Sequence, residues 1–250
     1  MNTEMIYEDI LMKKRGFVSK WPENKCAVMI LSGGLDSVIT CAWLLEEKQF
    51  ILFPLHIQRG QTNAKAELNS VKFFEKFFMD KYPEKFFPVE CINVHIPPIE
   101  FKTELGWYMK EKGYPLRDPI LLQYAVQYAY AIHQRYQKYP KTIFCALGPK
   151  DPFPHTKLVS LRSTTISVCQ NLDDWDWLIT SPNIDVFLRE QAFDKPDEIR
   201  WAIQHNIPIE KTISCYQAQS YNCGQCANCK RRQEAFKIAG IKDPTHYETL

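Results

Sequence analysis

The sequence predicts an α/β fold in which helices cover both faces of a parallel sheet. Short apolar runs alternate with segments of helical periodicity, and this alternation is typical of βαβ units. A glycine-rich turn follows the first apolar run, where such sheets commonly bind a ligand. Four cysteines lie close together near the other end of the chain and predict a bound metal. At 250 residues, the chain is long enough to bury a substantial core.

Five strands are predicted from short apolar runs, and four helices from apolar residues at helical spacing. The poorly periodic stretch 150–176 is expected to hold a loop and a helix, and long irregular inserts in such folds are often active-site segments. The predicted strands are 26–31, 50–57, 89–96, 142–147 and 177–180, and the predicted helices are 36–48, 63–82, 120–139 and 195–205.

Charge and cysteine usage limit the classes of function. Lys plus Arg number 31 and Asp plus Glu number 29, so no global basic field predicts DNA binding. The charged segment 1–25 does not suit a secretory signal, and no apolar run is long enough to span a bilayer. We therefore expect a cytoplasmic protein without membrane contact. Five scattered cysteines are expected to be buried core residues: Cys26, Cys41, Cys91, Cys145 and Cys169.

The stretch SGGLDS at 32–37 is predicted to bind phosphate or pyrophosphate. Glycines let the backbone approach a ligand closely, and the amides that open the following helix carry partial positive charge. Ser32 and Ser37 add hydroxyl donors. The spacing fits neither a Walker loop nor a G-x-G-x-x-G loop, which argues against a γ-phosphate-cleaving site. A glycine turn that only joined a strand to a helix would leave the serines and Asp36 without a purpose.

The clustered cysteines are predicted to ligate one metal ion. Three of them are separated by two residues each and a fourth lies eight residues upstream, so four thiolates can surround a tetrahedral ion. Gly224 permits a sharp turn between ligands, and the basic residues 230–232 can balance the thiolate charge. A structural zinc is favoured, and an iron–sulfur cluster is the alternative. The predicted ligands are Cys215, Cys223, Cys226 and Cys229.

Together, SGGLDS and C-x7-C-x2-C-x2-C resemble the 7-cyano-7-deazaguanine synthase (QueC-like) family of N-type ATP pyrophosphatases, over roughly residues 26–240. RGQ at 59–61, Arg117 ahead of LLQYAVQYAYA, and DKPDEIR at 194–200 extend the resemblance. It implies a homodimer with a Rossmann-like (adenine nucleotide alpha hydrolase-like) sheet and a C-terminal zinc-binding helical segment. The predicted division is an N-terminal extension 1–25, an ATP pyrophosphatase domain 26–206 and a zinc-binding segment 207–250.

The resemblance implies an ATP-dependent carbon–nitrogen ligase. Such enzymes adenylate the carboxylate of 7-carboxy-7-deazaguanine, let ammonia form the amide, and dehydrate it to the nitrile with a second ATP. Asp36, Ser37 and Lys195 are the implied catalytic residues, and Asp36 is expected to help hold Mg²⁺. The implied substrate-binding residues are Arg59, Arg117 and Asp151. The implied ATP-binding residues are Leu31, Ser32, Gly33, Gly34, Leu35, Asp36, Ser37, Val38, His56 and Gln61.

Two of these residues also fit purely structural roles. His56, taken alone, is typical of a structural histidine. Lys195-Pro196 after Asp194 is typical of a helix start with an aspartate cap.

The chain departs from the family pattern on the side of the substrate. Arg117-Asp118 replaces the usual Arg-Asn, and DPFPHTK at 151–157 only faintly resembles the family's Gly-Tyr-Pro-Asp-Cys-Arg-like loop. His155 and Lys157 take its acidic and arginine positions. These departures, with segment 1–25 as a candidate docking surface, predict that the amine acceptor is ammonia or a protein amine, the latter as in a diverged antiphage-defence relative. The alternatives are an iron–sulfur tRNA thiolation enzyme and a non-catalytic nucleotide-binding subunit.

Overall fold

The computed structural model describes residues 3–106, 113–218 and 220–248. The strands are β1 (Cys26–Ile30), β2 (Ile51–Gln58), β3 (Glu90–Asn93), β4 (Thr142–Phe144) and β5 (Leu178–Thr180). The main helices are α1 (Thr3–Arg15), α2 (Leu35–Glu46), α3 (Ala64–Lys81), α4 (Arg117–Tyr136), α5 (Leu158–Leu172), α6 (Lys195–Gln204) and α7 (Ala227–Ala239). Short 3-10 helices occupy Ile99–Phe101, Pro154–Thr156 and Ile209–Lys211.

The strands form a five-stranded sheet in the order β3-β2-β1-β4-β5. Strand β2 pairs in parallel with β3, and β4 pairs in parallel with both β1 and β5. The predicted α/β class with a parallel sheet is confirmed.

The chain forms two compact units. Unit 1 comprises Met1–Ile30 and His95–Ala192, and unit 2 comprises Leu31–Val94 and Phe193–Leu250. The division predicted from the sequence, with boundaries after residues 25 and 206, stays a prediction. Residues 1, 2, 219, 249 and 250 of the predicted terminal segments lie outside the described residues.

Every strand and helix predicted from periodicity is present, and the largest differences lie at the ends. Strand β4 ends at Phe144 rather than at residue 147. Beyond it, the amide of Leu147 donates to Ser181 Oγ at 3.1 Å, so a side-chain contact replaces strand pairing. Helix α4 begins at Arg117, three residues earlier than its predicted start, because Pro119 is compatible with a first helical turn. The stretch 150–176 holds a loop and α5, as predicted.

Helix α1, in the charged N-terminal segment, was not predicted. It packs against α5 in unit 1, and Leu11 is fully buried. The Arg15 guanidinium donates to the carbonyl oxygens of Trp175 and Trp177, at 3.3 and 2.5 Å. Removal of residues 1–24 would therefore uncover the core of unit 1, so the segment is a structural part of this unit.

A buried ion pair fixes the loop that follows β5. Both nitrogens at the end of Arg162 donate to Asp185, at 2.9 and 2.8 Å, and both side chains are fully buried. Ser19 Oγ and Thr180 Oγ1 donate to the same carboxylate at 2.8 and 2.6 Å. Burial alone would raise the pKa of Asp185, but the hydrogen bonds and charge of Arg162 lower it below its ordinary value.

Four of the scattered cysteines are buried as predicted, but the prediction for Cys91 is wrong because its side chain is exposed. Cys91 lies on β3, a strand at the edge of the sheet, where exposure alternates along the strand. Its side chain falls on the open face, since successive side chains of a strand point to opposite sides. Over the described ranges, no helix has both the length and the apolar character needed to cross a membrane.

We expect Asp185→Ala to lower the free energy of unfolding by about 3–5 kcal/mol, because it leaves the Arg162 charge buried without its partner. Urea denaturation near pH 7 measures this loss. The matched control is Asp9→Ala, which removes an exposed pair with Lys13 and should cost about 1 kcal/mol or less.

Because the pKa of Asp185 is lowered in the folded chain, its contribution is complete above the ordinary aspartate pKa and is lost as the pH falls further. The difference between wild type and Asp185→Ala should shrink below about pH 4. Equal losses for Asp185→Ala and Asp9→Ala would contradict the prediction.

Candidate nucleotide site and metal centre

The loop between β1 and α2 in unit 2 is held closely against α3. Gly33 has a φ of +76°, a conformation that side chains disfavour. A Cβ at Gly33 would also lie 2.8 Å from the Glu67 carbonyl oxygen and 3.0 Å from Ser70 Cβ. The Gly33 carbonyl accepts hydrogen bonds from Ser70 Oγ at 2.8 Å and from the Ile213 amide at 3.0 Å. Position 33 therefore requires glycine for conformation and for space.

The two serines of the loop have different surroundings. Ser37 is buried, and its hydroxyl donates to the Gly34 carbonyl at 3.0 Å and accepts the Ser32 amide at 3.2 Å. Ser32 is exposed, and its Oγ lies 3.0 Å from Ser37 Oγ. Ser37 thus shapes the loop, whereas Ser32 can reach a ligand. The catalytic and ATP-binding roles of Ser37 stay predictions. The buried Leu31 and Val38 anchor the two ends of the loop.

The start of α2 is suited to an anion. Gly34 precedes the helix without a side-chain cap, so the first-turn amides have no acceptor from a capping side chain. Such amides also lack intrahelical acceptors and together carry about half a positive charge. Leu35 is buried below this turn. The backbone alone can therefore bind a phosphate group here.

Asp36, in the first turn of α2, forms an ion pair with Lys195, the first residue of α6. Lys195 Nζ donates to both carboxylate oxygens at 2.5 and 2.6 Å, and each side chain is about one-third exposed. Burial alone would raise the pKa of Asp36, but the charge of Lys195 and the hydrogen bonds from Glu198 and Lys195 lower it. The Asp194 side chain accepts the Asp197 amide, so Lys195 also opens a capped helix. Both sequence interpretations of Lys195 therefore fit the structure.

The end of β2 is held by contacts within unit 2. His56 is buried, and its Nδ1 lies 3.0 Å from the Leu31 carbonyl oxygen. Burial lowers the pKa of His56, which keeps the ring neutral near pH 7. Gln61 Nε2 donates to Glu67 Oε2 at 2.6 Å, and its Oε1 accepts the amide of the half-buried Arg59 at 2.8 Å. The ATP-binding roles of His56 and Gln61 and the substrate role of Arg59 stay predictions.

The four predicted metal ligands lie together in unit 2, with all sulfur atoms within 4.8 Å of one another. Cys223 Sγ is 4.0 Å from Cys229 Sγ, and Cys226 Sγ is 3.8 Å from Cys215 Sγ. Four sulfurs placed at the usual zinc–sulfur distance around one tetrahedral ion would be separated by about 3.8 Å. The arrangement therefore fits a single ion with no open coordination position.

Backbone amides surround the sulfur atoms. Cys223 Sγ accepts the amides of Gln225 and Cys226 at 3.4 and 3.3 Å, across the turn at Gly224, whose φ is +73°. Burial opposes ionisation of Cys223, but these amides lower the pKa of its thiol to about 6. Cys215 Sγ likewise accepts two amides, at 3.3 and 3.4 Å. These contacts stabilise thiolates, the form that binds a metal.

Arg232 supplies a buried positive charge in the same unit. Its guanidinium donates to the hydroxyls of Thr212, Ser214 and Thr245, and to the carbonyl oxygen of Ile209. Burial lowers the pKa of Arg232, and the charges of Asp243 and Cys229 are among those that oppose this shift. Of the basic residues 230–232 predicted to balance the thiolates, only Arg232 is buried. It ties the segment before the cysteines to α7.

A second polar cluster lies in unit 1. Arg117 Nε and Nη2 donate to Asp118, at 2.7 and 3.2 Å. His155 Nε2 is 3.6 Å from Asp118 Oδ2. Burial lowers the pKa of His155, against the effect of Asp118. The two departures from the family pattern, Asp118 and His155, are therefore neighbours.

The cluster borders a cavity of about 340 Å³. Asp151 serves the adjoining turn, since its carboxylate accepts the Gly148 amide at 2.8 Å and its carbonyl accepts Lys157 Nζ. The substrate-binding roles of Arg117 and Asp151 stay predictions. The cavity lining includes Tyr7, Pro119, His155, Val159, Ser160 and Ser163.

Comparison with known proteins identifies the family. The model of the family described as queuosine biosynthesis protein QueC matches residues 26–240. The chain belongs to the QueC family. This match confirms the resemblance and the predicted enzyme class, and it spans both the glycine loop and the four cysteines.

Two curated relatives carry the name 7-cyano-7-deazaguanine synthase. The protein of Sulfurovum sp. is 26% identical over 241 residues, which cover 90% of this chain and 99% of the relative. The protein of Oceanobacillus iheyensis is 28% identical over 235 residues, with the same coverage of both chains. A solved 4-thiouridine synthetase in complex with RNA and ATP matches with a TM-score of 0.48 and 12% identity. That match covers 86% of this QueC-family chain and 50% of the synthetase chain.

Several residues of the site were not found by sequence reasoning. Glu67 and Ser70 support the loop from α3, and Asn63 contacts both Glu67 and the carbonyl of Cys215. The one available signal was the spacing of Asn63, Glu67 and Ser70, since residues three and four apart share a helix face. Asn222 binds the backbone of the segment before the cysteines and gave no motif at all.

We expect Cys226→Ala to lose the bound ion and to yield insoluble or unfolded protein, because a structural ion contributes about 10–16 kcal/mol. This contribution is as large as the whole stability of a typical domain, about 5–15 kcal/mol. The matched control is Cys91→Ala, since Cys91 is exposed and should leave one ion per chain in place. Metal analysis and soluble yield measure the effect. A soluble Cys226→Ala protein with one ion per chain would show that the cysteines do not hold the ion as described.

Proposed function

We propose that this QueC-family chain adenylates the carboxylate of 7-carboxy-7-deazaguanine with ATP and passes the acyl group to an amine. The observation that carries the proposal is the family match over residues 26–240, which includes a loop with anion-binding geometry. The name shared by the two relatives, 7-cyano-7-deazaguanine synthase, supports the substrate. The family resemblance also supports a cytoplasmic homodimer.

The groups at the glycine loop suit the proposed first step. A carboxylate is a poor electrophile, and adenylation converts it into a good one while pyrophosphate leaves. The first-turn amides of α2 and the exposed Ser32 hydroxyl can bind the pyrophosphate, and Lys195 can stabilise its charge. Positioned groups of this kind act on the charge that develops in the transition state.

The Asp36–Lys195 pair brings a carboxylate and a cation to the start of α2. Oxygen ligands such as carboxylates suit Mg²⁺, so Asp36 would help hold that ion, which would neutralise phosphate charge. Lys195 is then available to the phosphate oxygens. In this proposal the pair preorganises both charges before ATP binds.

We propose that zinc is the ion held by the four cysteines. Sulfur separations of 3.8 and 4.0 Å support one ion, because a cluster of several irons needs its cysteine sulfurs further apart. Four sulfur ligands leave no position for substrate, so the ion has a structural role. Stoichiometric iron and a brown protein would favour the thiolation enzyme instead.

The acceptor is proposed to be a protein amine, with the product left as an amide. Asp118 and His155 support this, since both depart from the family pattern and they lie 3.6 Å apart beside a cavity. We expect the altered pair of Asp118 and His155 to change which amine can enter the site. Plain nitrile formation with ammonia is the competing outcome.

We expect Asp36→Asn to reduce ATP–pyrophosphate exchange by at least about 100-fold, because it removes the charge that holds Lys195 and the metal ion. Thermal unfolding should show that the fold persists. The matched control is Asp197→Asn at an exposed position of α6, which should keep wild-type exchange. Release of ADP instead of AMP, or full exchange by Asp36→Asn, would contradict the proposed reaction.

Restoring the family residues tests the acceptor. We expect Asp118→Asn combined with His155→Asp to shift the products from amide towards nitrile, with the ratio of AMP to product rising from one towards two. Mass spectrometry after incubation with ATP, 7-carboxy-7-deazaguanine and ammonia measures both. Asp9→Asn combined with His133→Asp makes the same changes at exposed positions and serves as control. A wild-type enzyme that already makes nitrile efficiently would contradict the protein-amine acceptor.

A further inference from the structure

The cysteine cluster and the glycine loop share two sets of contacts within unit 2. The first runs along the chain just before the cysteines. The Ile213 amide donates to the Gly33 carbonyl at 3.0 Å, and Ile213 lies two residues from Cys215. A Cβ on Gly34 would lie 3.4 Å from the Ile213 carbonyl oxygen. The segment that carries the first cysteine is therefore packed against the loop.

The second set of contacts runs through α3. Ala66 packs in one apolar cluster with Ile213, Cys215, Cys223 and Cys229. On the same helix, the Glu67 carbonyl and Ser70 contact Gly33. Helix α3 thus touches the cysteines at Ala66 and the glycine loop at Glu67 and Ser70.

Asn63 joins these two sets of contacts. It is 5% exposed and precedes α3 directly. Its Nδ2 donates to the Cys215 carbonyl at 2.9 Å and to Glu67 Oε1 at 2.9 Å. One amide group thus links the Cys215 backbone to the side chain of Glu67, the residue whose backbone carbonyl lies beside Gly33.

We propose that Asn63 is a positioning residue that couples the metal-loaded cysteine cluster to the glycine loop and so sets the affinity of the loop for ATP. The inference rests on the proposed ATP-binding function of the loop. The ion then acts on ATP affinity through the position of Gly33. Asp36 and Lys195 supply the reacting-site charges and are left unchanged.

The first test uses Asn63→Leu, which removes both donated hydrogen bonds at similar volume. We expect one ion per chain, as in wild type, and an ATP dissociation constant raised about tenfold, the scale of two net hydrogen bonds. The turnover number at saturating ATP should stay within about threefold, since the charged groups persist. The matched control is Asn69→Leu, the same change on an exposed position of α3, which should behave as wild type.

The second test is a cycle of four ATP affinities, measured for wild type and Asn63→Leu with the ion bound and after chelation. Metal removal should weaken ATP binding in wild type by a larger factor than in Asn63→Leu, since the variant has already lost the coupling. If chelation unfolds the chain, Ser70→Ala replaces chelation as the second change, because it removes the bond to the Gly33 carbonyl. Equal factors in both backgrounds would overturn the coupling.

The outcomes separate this inference from the proposed function. Wild-type protein that binds no ATP would contradict the proposed function. Wild-type protein that binds ATP, with unchanged affinity in Asn63→Leu, would overturn only the coupling. If Asn63→Leu does not fold, the smaller Asn63→Ser takes its place. If neither Asn63→Leu nor Asn63→Ser folds while Asn69→Leu does, the role of Asn63 is purely structural. This result would also overturn the inference.

Discussion

The carbonyl of Gly33 accepts hydrogen bonds from Ser70 and Ile213, residues far apart in the sequence, in a place where no side chain fits. Both donors must be in position for the loop to take this shape. One donor lies on α3 and the other lies just before the cysteines, so the loop depends on two separate parts of unit 2. The absence of a side chain at Gly33 therefore serves the contact with α3, in addition to any contact with a ligand.

Unit 2 contains a charged pair that is partly exposed and a cation that is fully buried. Asp36 and Lys195 form a pair that is open to solvent on one side, which keeps both groups within reach of a ligand. Arg232, in contrast, is buried and is satisfied by neutral oxygen atoms. A buried cation near several thiolates is favourable because they attract each other strongly where water is excluded. The partly exposed Asp36–Lys195 pair can therefore act on a ligand, whereas the buried Arg232 stabilises the fold.

Unit 1 uses a buried ion pair for a different purpose. Arg162 and Asp185 fix the loop after β5, and Ser19 adds a hydrogen bond from the N-terminal segment. Such a pair specifies one arrangement because removing either partner leaves a charge in the core. The same unit holds the neighbours Asp118 and His155, where the chain departs from its family. Unit 1 thus contains both the buried ion pair and the residues that differ from the family pattern.

Most elements and both motifs of this protein could be predicted from its sequence. Apolar periodicity located the five strands and four of the helices, and the spacing of SGGLDS and of the four cysteines located the loop and the metal ligands, because these are local patterns. Helix α1 was not predicted because its many charged residues gave no clear apolar periodicity, although Leu11 is buried in the folded chain. The folded structure was needed to show that the Ser37 hydroxyl bonds within the loop, that Cys91 is exposed and that Asn63 joins Cys215 to Glu67. The contact between Asn63 and Cys215 joins residues far apart in the sequence, and the hydroxyl of Ser37 depends on how the loop turns, so neither follows from spacing along the chain.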